Sequence, residues 1–202
     1  HLMVAEALKS LLAPEFDLVG VVEDGRAMVE AVSTLRPDVI VADISMPHLN
    51  GIDALVKLRQ GGDRTPVVFL TMHQDVTFAR RALEAGASGF VLKHSAPAEL
   101  VAAVRAALEG RTYLTPRLAG EVLDSVKQDP GRAADPVVSL TPRQREILQL
   151  VAEGRSAKEI ASSLSISSRT VEFHKYQMIE TLGLHTNAEL IHFAIKHGLV
   201  EL

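Results

Sequence analysis

The sequence of 202 residues contains no cysteine, and only 4% of its residues are aromatic. Without cysteine, disulfide bonds and thiolate metal sites are excluded, which is consistent with a cytoplasmic protein. No apolar run approaches the length of a membrane span, and no signal-peptide pattern begins the chain. We therefore expect a cytoplasmic protein without a membrane partner.

Positive charge is not in excess either. The formal net charge is −4, and the excess of acidic residues lies in the first 110 residues. A polycation that coats nucleic acid non-specifically is excluded, because such a protein needs surplus Lys and Arg. Any DNA binding must come from local placement of side chains and from dimerisation. A hydrophobic content of 47% with 23% charged residues is typical of a folded chain of one or two domains.

Helices and short apolar strands alternate through the first half of the chain. We predict strands near 18–22, 39–42, 66–71 and 89–93, and helices near 2–12, 27–35, 52–58, 76–85 and 100–108. This alternation favours an α/β fold, a doubly wound parallel sheet with helices on both faces.

A polar residue stands at the end of three of these strands, namely Asp43, Thr71 and Lys93. The carboxyl ends of parallel strands meet at one edge of a sheet, where open α/β folds place their chemistry. A carboxylate, a hydroxyl and an ammonium group gathered there suit a phosphoryl group, with Asp43 as the nucleophile. Each residue alone is more commonly a cap or a solvated side chain, but three equivalent strand ends favour a site.

Asp43, with the following Met46-Pro47 and Gly51, then Thr71, and then the segment from Ala82 to Lys93, resembles the receiver domain of two-component response regulators. The resemblance covers residues 1–110 and implies a flavodoxin-like fold. It implies that a sensor histidine kinase phosphorylates Asp43, with Mg²⁺ neutralising charge. Thr71 and Phe90 would be the switch pair, and Lys93 would form the ion pair that reports the modification.

One departure from that pattern concerns the metal. Receivers begin with a central strand that ends in two acidic residues, and His1-Leu2-Met3-Val4 resembles the residues after that pair. Asp43 and the backbone carbonyl of Ser45 alone would be a poor site, because Mg²⁺ prefers octahedral oxygen ligands. We expect Mg²⁺ only if the pair is supplied, whether the chain is a fragment, lacks a segment or is a degenerate receiver.

Residues 111–138 are predicted to be a connector. A helix over 118–126 follows Thr115-Pro116, and the segment 127–136 contains two prolines and a glycine.

The predicted second domain, residues 139–202, is a small all-α module of four helices. Capping-box patterns begin at Thr141, Ser156 and Thr186, and a further helix begins near Ser167 or Ser168. Helices near 156–163 and 168–182 have the spacing of a helix-turn-helix.

The face of the second helix opposite its apolar stripe presents side chains suited to DNA. The residues 139–202, including Leu140 to Leu148 and Thr170 to His174, resemble a LuxR-type helix-turn-helix domain. The candidate DNA contacts, with hydroxyls at the helix start for phosphate, are Lys158, Ser168, Arg169, Thr170, Glu172, Phe173, Lys175 and Tyr176. By resemblance, the helix 187–197 would be the homodimer surface. We interpret His174 as a packing residue.

Together these patterns predict a response-regulator transcription factor of the NarL/FixJ type, which is not an enzyme. One alternative is a phosphorylation-independent DNA-binding regulator with a degenerate or truncated receiver. A less favoured alternative is a haloacid-dehalogenase-like phosphatase, which requires an acid two residues after its nucleophile, where Ser45 stands.

Overall fold

The computed structural model describes residues 2–95, 97–128 and 136–200. The elements of the first half are α1 (Leu2–Leu12), α2 (Gly25–Leu35), β1 (Ile40–Ala42), α3 (Gly51–Gln60), β2 (Val67–Thr71), α4 (Val76–Glu84), β3 (Gly89–Leu92), α5 (Pro97–Leu108), β4 (Tyr113–Leu114) and α6 (Pro116–Gln128). The second half contains a 3₁₀ turn (Pro136–Ser139) and then α7 (Pro142–Ala152), α8 (Ala157–Leu164), α9 (Ser168–Leu182) and α10 (Asn187–Lys196).

The four strands form one parallel sheet in the order β1-β2-β3-β4. Successive residues of β2 point to opposite faces, so Val67 and Phe69 pack on one side and Val68 and Leu70 on the other. Helices α1 and α5 cover one face, whereas α2, α3, α4 and α6 cover the other. The predicted doubly wound α/β sheet is therefore confirmed.

The strand predicted at 18–22 is wrong, because this segment has no regular secondary structure and its side chains are exposed, including Leu18, Val19 and Val21. A strand is stable only when its backbone groups pair with a neighbour. Among the described residues, the sheet offers 18–22 no such neighbour, since β1 pairs with β2 alone. The two-residue strand β4 was not predicted, because two residues are too few for an alternating pattern.

The connector helix α6 packs against the first domain. Its Leu118 and Val122 are buried in the same core as Phe78 of α4. The predicted linker lies largely outside the described residues, since 129–135 are not described. The domain boundaries at 110 and 138 stay a prediction.

Helices α7 to α10 enclose a separate core of aliphatic side chains. Two of the three predicted capping boxes are present, at Thr141–Gln144 and Ser156–Glu159. The third is incomplete: Thr186 accepts the Glu189 N–H, but the Glu189 carboxylate accepts from His185 instead. None of the helices described in the chain is long and apolar enough to cross a membrane.

Candidate functional site

Asp43 and Lys93 meet at the carboxyl edge of the sheet. Asp43 follows β1 directly, Lys93 follows β3, and the ammonium group of Lys93 donates to Oδ2 of Asp43. Thr71 ends β2, the strand between them. The Asp43 side chain keeps 19% of its surface exposed. A carboxylate that is oriented by a cation and still reachable from solvent is chemically suited to accept a phosphoryl group.

A tight loop after Asp43 fixes the carboxylate. The N–H of Gly51 donates to the carbonyl of Ile44 at 2.8 Å, and a Cβ at Gly51 would lie 2.2 Å from the carbonyl oxygen of Asp43. Only glycine permits this close approach of two backbone segments. The N–H of Ser45 lies 3.3 Å from Oδ1 of Asp43, and Ser45 Oγ is 2.8 Å from Nε2 of His73.

Thr71 and Phe90 are both fully buried. The Thr71 hydroxyl accepts a hydrogen bond from the backbone N–H of His73 at 3.2 Å. Phe90 lies beside Phe69 on the neighbouring strand, and its ring is part of the core under α3 and α4. Their predicted roles as a switch pair stay a prediction.

The described residues do not make a magnesium site. No group of three or more histidine or acidic side chains is close enough to hold a metal anywhere in the described ranges. Asp24 caps α2 through the N–H groups of Arg26 and Ala27, so it does not stand in for the acidic pair. Asp43 and Ser45 alone leave an octahedral Mg²⁺ without enough protein oxygen ligands.

The outer face of α9 is open to solvent. Phe173 is 57% exposed and Tyr176 is 66% exposed. Arg169 and the α8 residue Lys158 are exposed as well. Exposed aromatic rings are costly to leave in water, so such a face is consistent with a binding surface.

Three other predicted DNA contacts, Thr170, Glu172 and Lys175, already bond to side chains of α9 or its N-cap. The hydroxyl of Thr170 bonds to that of Ser167, the N-cap of α9, at 2.8 Å, while Ser168 is partly buried. Lys175 is paired with Glu172 at 3.2 Å, and only 15% of its side chain is exposed. The charge of Lys175 is therefore partly neutralised before any contact with phosphate.

The second domain docks on the loop that follows Asp43. Gln149 of α7 donates to the carbonyl of Met46 at 2.8 Å and accepts the backbone N–H of Asn50 at 2.7 Å. Arg145, one turn earlier on α7, donates to the buried carboxylate of Asp53 at 2.6 Å. These contacts bind α7 to the loop between β1 and α3 and to the first turn of α3, within ten residues of the phosphoacceptor candidate.

His48 adds a second group of contacts between the domains. Its backbone N–H donates to Glu153 at 2.8 Å, and its ring lies between Asp24 and Arg155. Burial alone would raise the pKa of Asp24, but its hydrogen bonds to backbone N–H groups and to His48 outweigh burial and lower the pKa. The Asp24 carboxylate is therefore stabilised in its charged form at this junction.

Glu146 of α7 is the third point of contact. Its side chain is 3% exposed and pairs with Arg143 of its own helix and with Lys57 and Arg26 of the first domain. Burial alone would raise the pKa of Glu146, but the Lys57 ammonium and the two guanidinium groups lower it. Cations from both domains therefore stabilise the buried Glu146 carboxylate in its charged form.

Sequence reasoning did not find the docking residues. Arg145, Glu146, Gln149 and Glu153 recur at helical spacing on the polar side of α7, which is typical of a solvated face. The signal that could have found them is the burial of two of these polar groups, Glu146 and Gln149, and that signal exists only in the folded chain.

A sheet edge that gathers Asp43, Thr71 and Lys93, joined to a helix-turn-helix, defines the class as a receiver with a nucleic-acid-binding module. Residues 1–105 match the family described as response regulator receiver domain, and residues 138–194 match the bacterial regulatory proteins of the luxR family. The chain belongs to the response-regulator family. It is a two-component response regulator of transcription, and its family is one of transcription factors and not of enzymes.

Among known relatives, the chain is 35% identical to the oxygen regulatory protein NreC of Staphylococcus aureus over 192 residues, which cover 93% of this chain and 88% of that protein. A two-component response regulator of the LuxR family from Aurantimonas sp. is 35% identical, with a TM-score of 0.59 over 63% of this chain and 93% of that one. RcsB of Salmonella enterica serovar Typhimurium, bound to a promoter with phosphomimetic BeF₃⁻, is 26% identical, with a TM-score of 0.61 over 96% and 93%.

Proposed function

We propose that a sensor histidine kinase phosphorylates Asp43, and that this chain then binds DNA as a homodimer in the cytoplasm. The observation that carries the proposal is the ion pair between Lys93 and Asp43 at the carboxyl edge of the sheet. A phosphoryl group on Asp43 would bring its oxygens within reach of the same ammonium group. Thr71 and Phe90 would then respond to the new charge beside them.

The DNA-binding part of the proposal rests on α9. We infer that Phe173, Tyr176 and Arg169 face the bases, while Lys158 and the N-terminal hydroxyls of Ser168 and Thr170 face phosphates. Glu172 and Lys175 would adjust the charge of that face as a pair. The complex of RcsB with promoter DNA supports DNA binding by this chain in general, because that relative aligns with 96% of this chain.

The docked arrangement suggests how the two events are coupled. Gln149 and Glu153 bind the loop after Asp43 and Arg145 binds Asp53 of α3, whereas Phe173 and Tyr176 stay uncovered. Docking therefore would not act by hiding the base-reading face. We infer that it fixes the orientation of α7 to α10, and that phosphorylation frees the module to pair with a second copy on two half-sites.

Receiver domains typically bind Mg²⁺ at an acidic pocket. We propose that magnesium joins Asp43 and the Ser45 carbonyl only when an acidic pair is supplied in addition to the described residues. If no acidic pair is supplied, the alternative is a regulator whose DNA binding is independent of phosphorylation.

Intact-mass measurement after treatment with acetyl phosphate and Mg²⁺ tests the proposal. The chain as given and a version extended by a strand ending in two acidic residues are compared, each with an Asp43→Asn control. We expect one added phosphoryl group in the extended chain, and none in either Asp43→Asn variant. If neither chain gains mass while DNA binding persists, phosphorylation-independent regulation replaces the proposal.

A further inference from the structure

A cavity of about 270 Å³ lies between the two domains, beside the docking contacts of α7. The first domain lines it with Arg26, Lys57 and Glu30, and the second with Arg143, Glu146 and Ser163. The lining thus holds three cations and two carboxylates. One of those carboxylates, Glu146, is shared by all three cations.

The cations exceed what Glu146 can neutralise. Arg143 already pairs with Glu146 within α7 at 2.9 Å, and docking brings Lys57 to 2.8 Å and Arg26 to 3.3 Å from the same carboxylate. A carboxylate carries one negative charge, so two positive charges around it remain without a counterion. The exposed Glu30 at the cavity wall offsets one of them in part.

Arg26 also has donors that are not used. Its Nη1 bonds to the carbonyl and hydroxyl oxygens of Ser163 at 3.1 and 2.7 Å. Its Nε and Nη2 atoms are buried and lack a hydrogen-bond partner, and the 3.3 Å approach of Nη2 to Glu146 is not aligned as a hydrogen bond. Buried guanidinium donors are normally satisfied, so Arg26 keeps hydrogen-bonding capacity that docking leaves unused.

We propose that this cavity binds a small oxyanion of the phosphate class, held by Arg26, Lys57 and Arg143. A planar guanidinium group binds phosphate oxygens with two parallel N–H groups, and an ammonium group adds a point charge. The cations come from both domains, so an anion bound there stabilises the docked form by mass action. This site is separate from Asp43, and its three cations are in place in the docked form without a phosphoryl group on Asp43.

Calorimetric titration of the full chain in a phosphate-free buffer tests the site, with inorganic phosphate, pyrophosphate and adenosine 5′-monophosphate as separate probes. Binding of phosphate itself identifies a free inorganic anion as sufficient. Binding of the nucleotide alone identifies a phosphorylated metabolite. If none of the three binds, the proposal is overturned.

Variants locate the binding. Arg26→Gln should raise Kd about tenfold, the loss of one charge-assisted contact, whereas Arg117→Gln on the exposed side of α6 should leave Kd unchanged. Glu30→Gln removes a repelling carboxylate without touching a docking contact, so it should tighten binding by about threefold. Because Arg26→Gln and Glu30→Gln should change Kd in opposite directions, the two variants distinguish anion binding from simple loss of docking.

Two outcomes contradict this assignment. If Lys93→Gln abolishes binding, the anion occupies the phosphoacceptor site instead. If Arg26→Gln and Glu30→Gln both leave Kd unchanged, the anion binds elsewhere on the surface. A further consequence, weaker DNA binding in the presence of the anion, rests on the proposed function and is measured separately by gel shift.

Discussion

The side-chain oxygen of Gln149 accepts the backbone N–H of Asn50 at 2.7 Å, which ties the first helix of the second domain to the phosphoacceptor loop. Once the domains separate, the Asn50 N–H can bond only to water. Docking thus includes individual polar contacts of α7 with the first domain, so single substitutions can shift it.

Gln149→Ala should weaken docking by about 1–3 kcal/mol, because it leaves two backbone groups of the loop without their partner. Hydrogen exchange at the His48 amide measures this, since Glu153 and not Gln149 accepts that N–H. Gln149 also donates to the same Glu153 oxygen at 3.0 Å, so faster exchange at His48 reports loosening of the contacts of Gln149 and Glu153 with the loop as a group. The matched control is Gln60→Ala at the exposed end of α3, and equal exchange in both variants would show that Gln149 does not hold the domains together.

Gly198→Ala should destabilise docking more than Gly183→Ala. Both glycines have a positive φ, 62° and 64°, so alanine carries a similar backbone strain of about 1 kcal/mol at each. Only at Gly198 does the added Cβ meet another side chain, at 2.2 Å from Cζ of Phe78 in α4, whereas nothing lies within 4 Å at Gly183. Thermal unfolding of the two variants isolates the contact, and identical losses of stability would rule it out.

The aromatic face of α9 should determine which DNA sequence is bound. Phe173→Ala or Tyr176→Ala should cost about 1–3 kcal/mol on the preferred site and little on unrelated DNA. Lys158→Gln should weaken binding to all sequences alike and reduce the slope of binding against salt by about one. Gel-shift titrations at several salt concentrations distinguish the two patterns. If the aromatic variants leave the DNA footprint unchanged, the recognition surface lies elsewhere on the protein.

The sequence was informative where local pattern and tertiary structure agree. The spacing of apolar residues predicts helices α7 to α10, because the buried face of a helix appears in its sequence as apolar residues at helical spacing. The meeting of Asp43 and Lys93 follows from the parallel sheet. The segment 18–22 has the composition of a strand, yet strand formation depends on a neighbour that the pattern cannot supply.

The docking surface was beyond sequence reasoning for a different reason. Gln149 and Arg145 become buried only when two domains meet, and a polar helix face has the same pattern whether it faces water or another domain. The role of His48 is hidden in the same way, because its positive φ of 64° and its position between Asp24 and Arg155 follow from the folded loop.

Stability of the second domain should fall as the pH decreases through the range in which histidine titrates. Burial of the His174 ring, and then the charge of Arg143, lower the pKa of His174 below its ordinary value of 6.5. The unfolded chain therefore takes up this proton at a higher pH than the folded chain. The free energy of unfolding is unaffected by His174 above pH 6.5 and decreases below it, until the folded form is protonated as well.

Thermal unfolding between pH 7.5 and pH 5.5, about one unit on either side of that ordinary value, measures the effect. His174→Gln cannot take up the proton, so its melting temperature should fall less across this interval than that of the unmodified chain. His192→Gln, at an exposed position of α10, is the control and should keep the full pH dependence. If His174→Gln and His192→Gln lose stability equally, burial of the His174 ring does not set the acid sensitivity. The buried Nδ1 of His174, which lacks a hydrogen-bond partner, would then tolerate a proton without cost.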